Sequence, residues 1–281
     1  MTIAVTGATG HLGALVVEEL LDRGVDAADI VAVVRDAAKA ESLADRGVQV
    51  RVANYSDADA LKAALTGVDK LLLVSGSDVG QRVAQHANVI DAAESAGVSL
   101  IAYTSILAAD TSGVTLATEH LATEKLLAES SVPAVFLRNG WYWENYSASL
   151  QQTVEGGTLL GAGGDGKIAA ASRADYAAAA AVVLLSENQG GKIYELGGDE
   201  HLTLAELAAV ISENAGKPVQ YKDVSEAEYR GILEGAGLPD FVAEMLASAD
   251  AGISRGDLDT DSGDLQKLIG RASTPVASIL R

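Results

Sequence analysis

The chain has 281 residues, 39 acidic against 20 basic side chains for a formal net charge of −19, and no cysteine. That balance, with no block of Lys and Arg to stand against it, disfavours nucleic acid as a partner, and the missing thiol removes disulfides, thiolate metal sites and cysteine nucleophiles. The length suits one large α/β domain with a smaller appended lobe. The longest apolar stretch, YAAAAAVVLL at 176–185, is too short to span a bilayer, so no membrane insertion and a cytoplasmic address are expected.

In chain order, Ile3-Ala4-Val5 reads as a strand running directly into TGATGHLG, with glycines at 7, 10 and 13. Leu12, Leu15, Val16, Leu20 and Leu21 then recur at helical spacing. Glycine lets the chain turn tightly out of a strand, lets the backbone approach a bulky anion and lets the helix pack on its strand. The helix directs its N–H groups and positive dipole end at that turn, which suits a diphosphate. Without its flanking strand and helix, the triplet is also compatible with an ordinary surface turn.

Further strand-like runs follow, DIVAVVR, VQVRVAN, KLLLVSG, SLIAYTS and AVFLRNG, alternating with helix-sized segments such as DADALKAALTGV and VAQHANVIDAAESAGV. The alternation predicts an α/β fold with a doubly wound parallel sheet of the Rossmann type, helices on both faces and six strands by Asn139. After Asn139 the pattern changes to WYWENY, then to the glycine-rich GAGGDGKIAAAS, read as hairpin-like, and then to an Ala-rich helix from about Ala174. KIYELGG reads as a strand returning to the main sheet near 190–198, and KPVQYKDV as a strand of the smaller lobe. The expected organisation is a dinucleotide-binding domain over 1–139 with that return strand, and a smaller C-terminal α/β lobe formed mainly by 140–281.

Ligands of open parallel sheets bind beyond the carboxyl ends of the strands. Those ends are the glycine turn, Arg35, Asn54 and Tyr55, residues 74–77, Thr104 and Ser105, and residues 138–141. The end of the second strand meets the adenosine ribose, where an acid selects NAD and a cation accommodates the 2′-phosphate of NADP. Arg35 comes first in VVRD and suits NADPH, because guanidinium makes bidentate charge-assisted bonds to phosphate. Asp36 argues the other way, Lys39 adds to the positive side, and a merely solvated Arg35 is the remaining alternative.

The glycine turn, the VVRD strand end, YTS, HLATEKLL, RNGWYWENY and RADYAAAAA occur in that order. With them the chain resembles the NmrA-like group of atypical short-chain dehydrogenases/reductases, from the first strand to about DLQKLIG. Within the group the likeness points to members that reduce quinones with NAD(P)H, with triphenylmethane reductases as neighbouring relatives. The resemblance implies NADPH held by Gly7, Ala8, Thr9, Gly10, His11 and Leu12, by Arg35, by Val74, Ser75 and Gly76, and by Arg138, Asn139 and Gly140. Arg173, opening RADY, also matches a family position near the cofactor; a cap or surface ion pair is its other reading.

Ordinary short-chain dehydrogenases place Tyr-x-x-x-Lys on one helix face. Here the position four before Lys125 is Leu121, so the usual proton donor is missing. This argues against simple ketone chemistry, in which the developing alkoxide needs a positioned acid. A quinone is easier, since hydride arrival makes a delocalised, weakly basic hydroquinone anion and the protein need only align the reactants. No catalytic side chain is assigned; Lys125, His120 and Tyr103 are the candidates, with a ribose contact or plain surface position open for Lys125 and structural roles open for the other two. Trp141, Tyr142, Asn145 and Tyr146 are expected to bind a flat substrate by stacking and by orienting a carbonyl, although a hydrophobic seam also accounts for such a cluster. The histidines at 11, 86, 120 and 201 have no ligand-like spacing, so no metal is expected, and no residue implies a flavin. The expected function is an NADPH-dependent quinone oxidoreductase acting on a small molecule. The alternatives are an NADP-binding redox sensor without turnover and a reductase of triarylmethane dyes or other conjugated electrophiles. Whether the chain forms a homo-oligomer is left open by its sequence.

Overall fold

The apolar runs of the first half fold as strands, each followed by a helix. In the structure, a computed structural model that describes residues 1–281, β1 (Ile3–Thr6) leads to α1 (Gly13–Asp22), β2 (Ile30–Val34) to α2 (Glu41–Asp45), and β3 (Gln49–Val52) to α3 (Ala58–Leu65). Next, β4 (Lys70–Leu73) leads to α4 (Arg82–Ala96) and β5 (Leu100–Ile106) to α5 (Thr115–Glu129), before β6 (Ala134–Asn139). There follow α6 (Leu150–Gly156), β7 (Thr158–Gly161), β8 (Lys167–Ile168), α7 (Arg173–Leu185), β9 (Ile193–Leu196) and β10 (Leu202–Thr203). The chain ends with α8 (Leu204–Ala215), β11 (Gln220–Asp223), α9 (Glu226–Gly235), α10 (Asp240–Arg255), α11 (Asp264–Ile269) and α12 (Val276–Ile279).

Seven strands make the main sheet in the order β3-β2-β1-β4-β5-β6-β9, with helices on both sides, which is the doubly wound Rossmann-type arrangement. β1 pairs in parallel with β2 and β4, Ile3 standing opposite Ile30 and Lys70. Every side chain of β1, β2 and β5 is buried. Strands covered on both faces turn no side to water, which is why these runs read as unbroken apolar stretches. The strand order reverses between β1 and β4, the place where an open sheet of this kind leaves a crevice beyond its strand ends.

The chain forms two compact units. Met1–Ser105, Glu119–Arg138 and Tyr176–Tyr194 build the first; Ile106–Thr118, Asn139–Asp175 and Glu195–Arg281 build the second. Leu61, Leu65, Leu71, Leu73, Val89 and Ile101 are central to the core of the first. Trp143, Leu207, Ile211, Ile253 and Leu258 are central to that of the second. The five alanines at 177–181 of α7 are all buried.

GAGGDGKIAAAS does not fold as a hairpin. β7 pairs in parallel with β11, the strand from KPVQYKDV, while β8 pairs antiparallel with β10. The glycines of this stretch answer to packing against α10: a Cβ on Gly166 would lie 2.1 Å from the Ile253 carbonyl oxygen, and one on Gly161 2.5 Å from an Asp250 carboxylate oxygen. β9, from KIYELGG, runs beside β6, with Gly191 N–H donating to the Ala134 carbonyl and Phe136 N–H to the Lys192 carbonyl.

Candidate functional site

In the first unit, Gly7 has φ +58°, a left-handed conformation that side chains with a Cβ rarely adopt. Gly10 N–H donates to the Gly7 carbonyl at 2.8 Å and closes the turn. A Cβ on Gly13 would lie 2.3 Å from the same carbonyl oxygen, so the third glycine lets α1 sit directly on the turn. Ala8 and Leu12 are buried beneath it, while Gly7, Gly10 and His11 are exposed and Thr9 is half-buried. No side chain caps α1, and its first turn contains no acid. Ala14 and Val16 N–H are bonded back to the Gly10 and Leu12 carbonyls, and the dipole end with the amides not so engaged is left for an anion, so these residues fit a dinucleotide diphosphate.

At the end of β2, Arg35 and Asp36 are both exposed and differently engaged. Asp36 caps the short turn that follows, its Oδ1 accepting the Ala38 N–H at 3.0 Å. Arg35 has no ion-pair partner. The cation is therefore open to an incoming phosphate, while one oxygen of the acid is held by the backbone.

The turn after β4 is held by side chains at nearly every main-chain group. Val74 N–H donates to Thr6 Oγ1 at 3.0 Å, Ser75 N–H to Thr104 Oγ1 at 2.8 Å, and Gly76 N–H to His86 Nε2 at 3.0 Å. Tyr55 Oη lies 2.7 Å from the Val74 carbonyl and 2.5 Å from Thr6 Oγ1. Arg82 donates from Nε to the Gly76 carbonyl at 2.8 Å and pairs with Glu119 at 2.7 Å. Glu119 in turn accepts the Gly80 N–H at 2.8 Å.

Arg138 is buried, forking onto the buried Glu124, which also accepts the Ser105 hydroxyl at 2.6 Å. Tyr103 and His120 are set aside as proton donors, because both are buried and the Tyr103 hydroxyl is bonded to His120 Nδ1 at 2.8 Å. Burial pushes the phenol up from its ordinary value and the imidazole well down from its own. The cause is placement: Tyr103 belongs to a strand buried on both faces, and His120 shares the inward side of α5 with Thr123 and Glu124. Lys125, one residue on, is exposed.

In the second unit the aromatic segment is joined to residue 171, with Ala171 N–H donating to the Trp141 carbonyl at 3.1 Å and Trp143 N–H to the Ala171 carbonyl at 3.2 Å. Arg173 holds the segment from the other side. Its guanidinium lies 4.8 Å above the Tyr142 ring and donates to Asn145 Oδ1 at 2.7 Å, and its N–H donates to Glu144 Oε1 at 2.9 Å. Asn139 donates to the Tyr142 hydroxyl at 3.3 Å. Asn139 Oδ1 is buried without a hydrogen-bond partner, while Glu144 Oε2 lies 3.9 Å from the Arg173 guanidinium. An unsatisfied buried acceptor is costly, and Asn139 Oδ1 fits a polar ligand that supplies a donor. Asp250 of α10, which no sequence pattern singles out, accepts the Ala162 N–H at 3.1 Å. Burial is the main cause that raises its carboxyl to about 7, and the nearby Asp223 adds to the rise. Gly140 and Trp141 are buried and Tyr142, Asn145 and Tyr146 half-buried. No group of three or more His, Asp or Glu side chains is placed to hold a metal ion, and no helix is long and apolar enough to cross a membrane.

Against known proteins, the chain is 54% identical to quinone oxidoreductase 2 of Escherichia coli over 98% of its own length and 96% of that protein. A crystal structure of an NADPH-dependent quinone oxidoreductase from the same organism, complexed with NADPH, superposes with a TM-score of 0.97, covering 99% of this chain and 98% of the other. The Citrobacter sp. triphenylmethane reductase complexed with NADP(H) is 41% identical, with a TM-score of 0.94 and 99% of each chain covered. The model of the NmrA-like family matches residues 1–259, and the chain belongs to that family.

Proposed function

We propose that this protein is an NADPH-dependent oxidoreductase that transfers a hydride to a quinone-type acceptor. The observation that carries it is the end of β2, where Arg35 stands exposed without an ion-pair partner and one oxygen of Asp36 caps the following turn, in a chain 54% identical to a quinone oxidoreductase along nearly its whole length.

Bound NADPH supplies the hydride. The turn of residues 7–12 and the uncapped start of α1 hold its diphosphate, and Arg35 holds its 2′-phosphate. Residues 74–76 carry the nicotinamide half, because β4 flanks β1 on the side opposite β2. Arg138, Asn139, Gly140 and Arg173 are assigned to the same cofactor; Arg138 acts through its main chain, since its guanidinium is tied to Glu124. Trp141, Tyr142, Asn145 and Tyr146 take the acceptor, with Arg173 fixing Tyr142 and Asn145 in place. With Leu121 where a tyrosine would stand, and with Tyr103 and His120 bonded to each other in the core, no side chain is assigned to protonate the product. The hydroquinone anion takes its proton from solvent. A cytoplasmic address goes with this chemistry, as does a chain without cysteine. Reduction of triarylmethane dyes is a second activity favoured by the 41% identity to a triphenylmethane reductase.

Loss of NADPH absorbance with a panel of quinones, dyes and simple ketones tests this reading. Turnover is expected with quinones and not with ketones. Clear NADPH binding with no turnover on any acceptor would move the protein to the redox-sensor class.

A further inference from the structure

We propose that His86 is a positioning residue for NADPH: from α4 it fixes the 74–76 turn so that the Ser75 carbonyl is the one main-chain group left open to the cofactor. This rests on the reading that the turn carries the nicotinamide half.

The three residues of the turn present three N–H and three C=O groups. The N–H groups are taken by Thr6, Thr104 and His86, and the carbonyls of Val74 and Gly76 by Tyr55 and Arg82. Only the Ser75 carbonyl receives no hydrogen bond, and Ser75 is half-buried. A lone acceptor suits a donor, and the nicotinamide half of NADPH offers two kinds, ribose hydroxyls and the carboxamide N–H2.

His86 is built for one tautomer. Its Nε2 accepts the Gly76 N–H, so the ring proton sits on Nδ1 and is donated to Thr123 Oγ1 at 3.0 Å; Thr123 passes its own proton to the Glu119 carbonyl at 2.9 Å. The rings of Tyr55 and Tyr103 meet the imidazole edge-on, with centroids 6.0 and 5.5 Å away, and block its rotation. Burial first, and the nearby Arg82 cation second, push His86 down to about 3, which keeps the Nε2 lone pair free to accept near neutral pH. His86 never faces the cofactor; it acts through the Gly76 amide.

The test compares NADP+ with 2′,5′-ADP, which carries the adenosine half alone, by titration calorimetry on the full chain. Losing one neutral hydrogen bond, His86→Leu is expected to weaken NADP+ about 3- to 10-fold and to leave 2′,5′-ADP within about twofold, while His86→Gln, whose side-chain oxygen can accept the Gly76 N–H, stays near wild type. If His86→Leu does not fold, Thr123→Val, which removes the partner of Nδ1, is read with the same two ligands. Equal losses of both ligands, wild-type NADP+ affinity, or failure of glutamine to restore binding would each overturn the proposal. The amide resonances of Ser75 and Gly76 separate it from its premise. If NADP+ leaves them unmoved, the turn does not carry the cofactor; if they move while His86→Leu binds normally, the positioning role alone is lost.

Discussion

Glu124 and Arg138 meet as a fork inside the first unit, with Arg138 Nε 3.0 Å from Oε1 and its terminal nitrogen 2.8 Å from Oε2. Breaking a buried ion pair by removing one partner costs roughly 3 to 5 kcal/mol. Glu124→Ala is expected to lose stability on that scale, and Glu124→Gln less, since the amide oxygen still accepts. Urea unfolding followed by circular dichroism measures both; a wild-type midpoint for the alanine variant would mean that the fork contributes nothing.

At the end of β2, the 2′-phosphate is the only group by which NADPH differs from NADH. A charge-assisted hydrogen bond contributes about 1.5 to 3 kcal/mol, so Arg35→Ala is expected to weaken NADPH roughly 10- to 100-fold and to leave NADH nearly unchanged. Asp36→Ala is expected to cost stability through the lost cap without altering the preference. Dissociation constants for both nucleotides decide it, equal losses in Arg35→Ala marking that arginine as structural.

Gly13→Ala forces a Cβ to 2.3 Å from the Gly7 carbonyl oxygen, a distance no relaxation of a side chain can relieve because the obstacle is backbone. The turn and the start of α1 must separate. NADH and NADPH are expected to weaken together, in contrast to Arg35→Ala, and a variant binding both as well as wild type would remove α1 from the diphosphate site.

Asp250 ties stability to pH in the second unit. Burial, with Asp223 close by, holds its carboxyl at about 7, above the ordinary value of 3.8. The folded state therefore keeps the proton that the unfolded state releases, and the stabilisation is full below the ordinary carboxylate range and lost as pH rises through about 7. Asp250→Asn, which keeps an acceptor for the Ala162 N–H and cannot ionise, is expected to raise the melting temperature above pH 7 more than at pH 5. A difference between variant and wild type that does not change with pH would place the proton elsewhere.

Turnover with quinones is expected to vary weakly between about pH 6 and 8 and to lack the basic limb of a catalytic tyrosinate. The phenol of Tyr103 and the imidazole of His120 are bonded to each other and buried. A steep kcat profile in that window would mean that some side chain does donate the proton.

The strands of the first half were legible because each is an unbroken apolar run, the signature of burial on both faces, and the glycine turn because it lies between such a strand and a helix. GAGGDGKIAAAS misled for the opposite reason. Its glycines are required by the approach of Asp250 and Ile253 of α10, nearly ninety positions away in sequence, which leaves no local sign. Arg35 and Asp36 were readable as a pair with opposite implications; only the Ala38 amide, which captures the acid, separates them. His86 and Arg82 sit four apart on α4, an ordinary helix spacing. Their contact with Gly76 depends on where α4 lies beside the end of β4, and no periodicity encodes that.

The buried alanines of α7 carry a consequence for how this protein can change. Five consecutive residues pass once round a helix and more, so the helix is enclosed on every side at 177–181. Alanine has no side-chain rotamers, and enclosing this segment forfeits no side-chain entropy. For the same reason it has no slack. A core of leucines absorbs a substitution by turning to another rotamer, but here each added methylene has to be accommodated by its surroundings. Drift among bulky aliphatics, which most cores tolerate, is costly along this stretch.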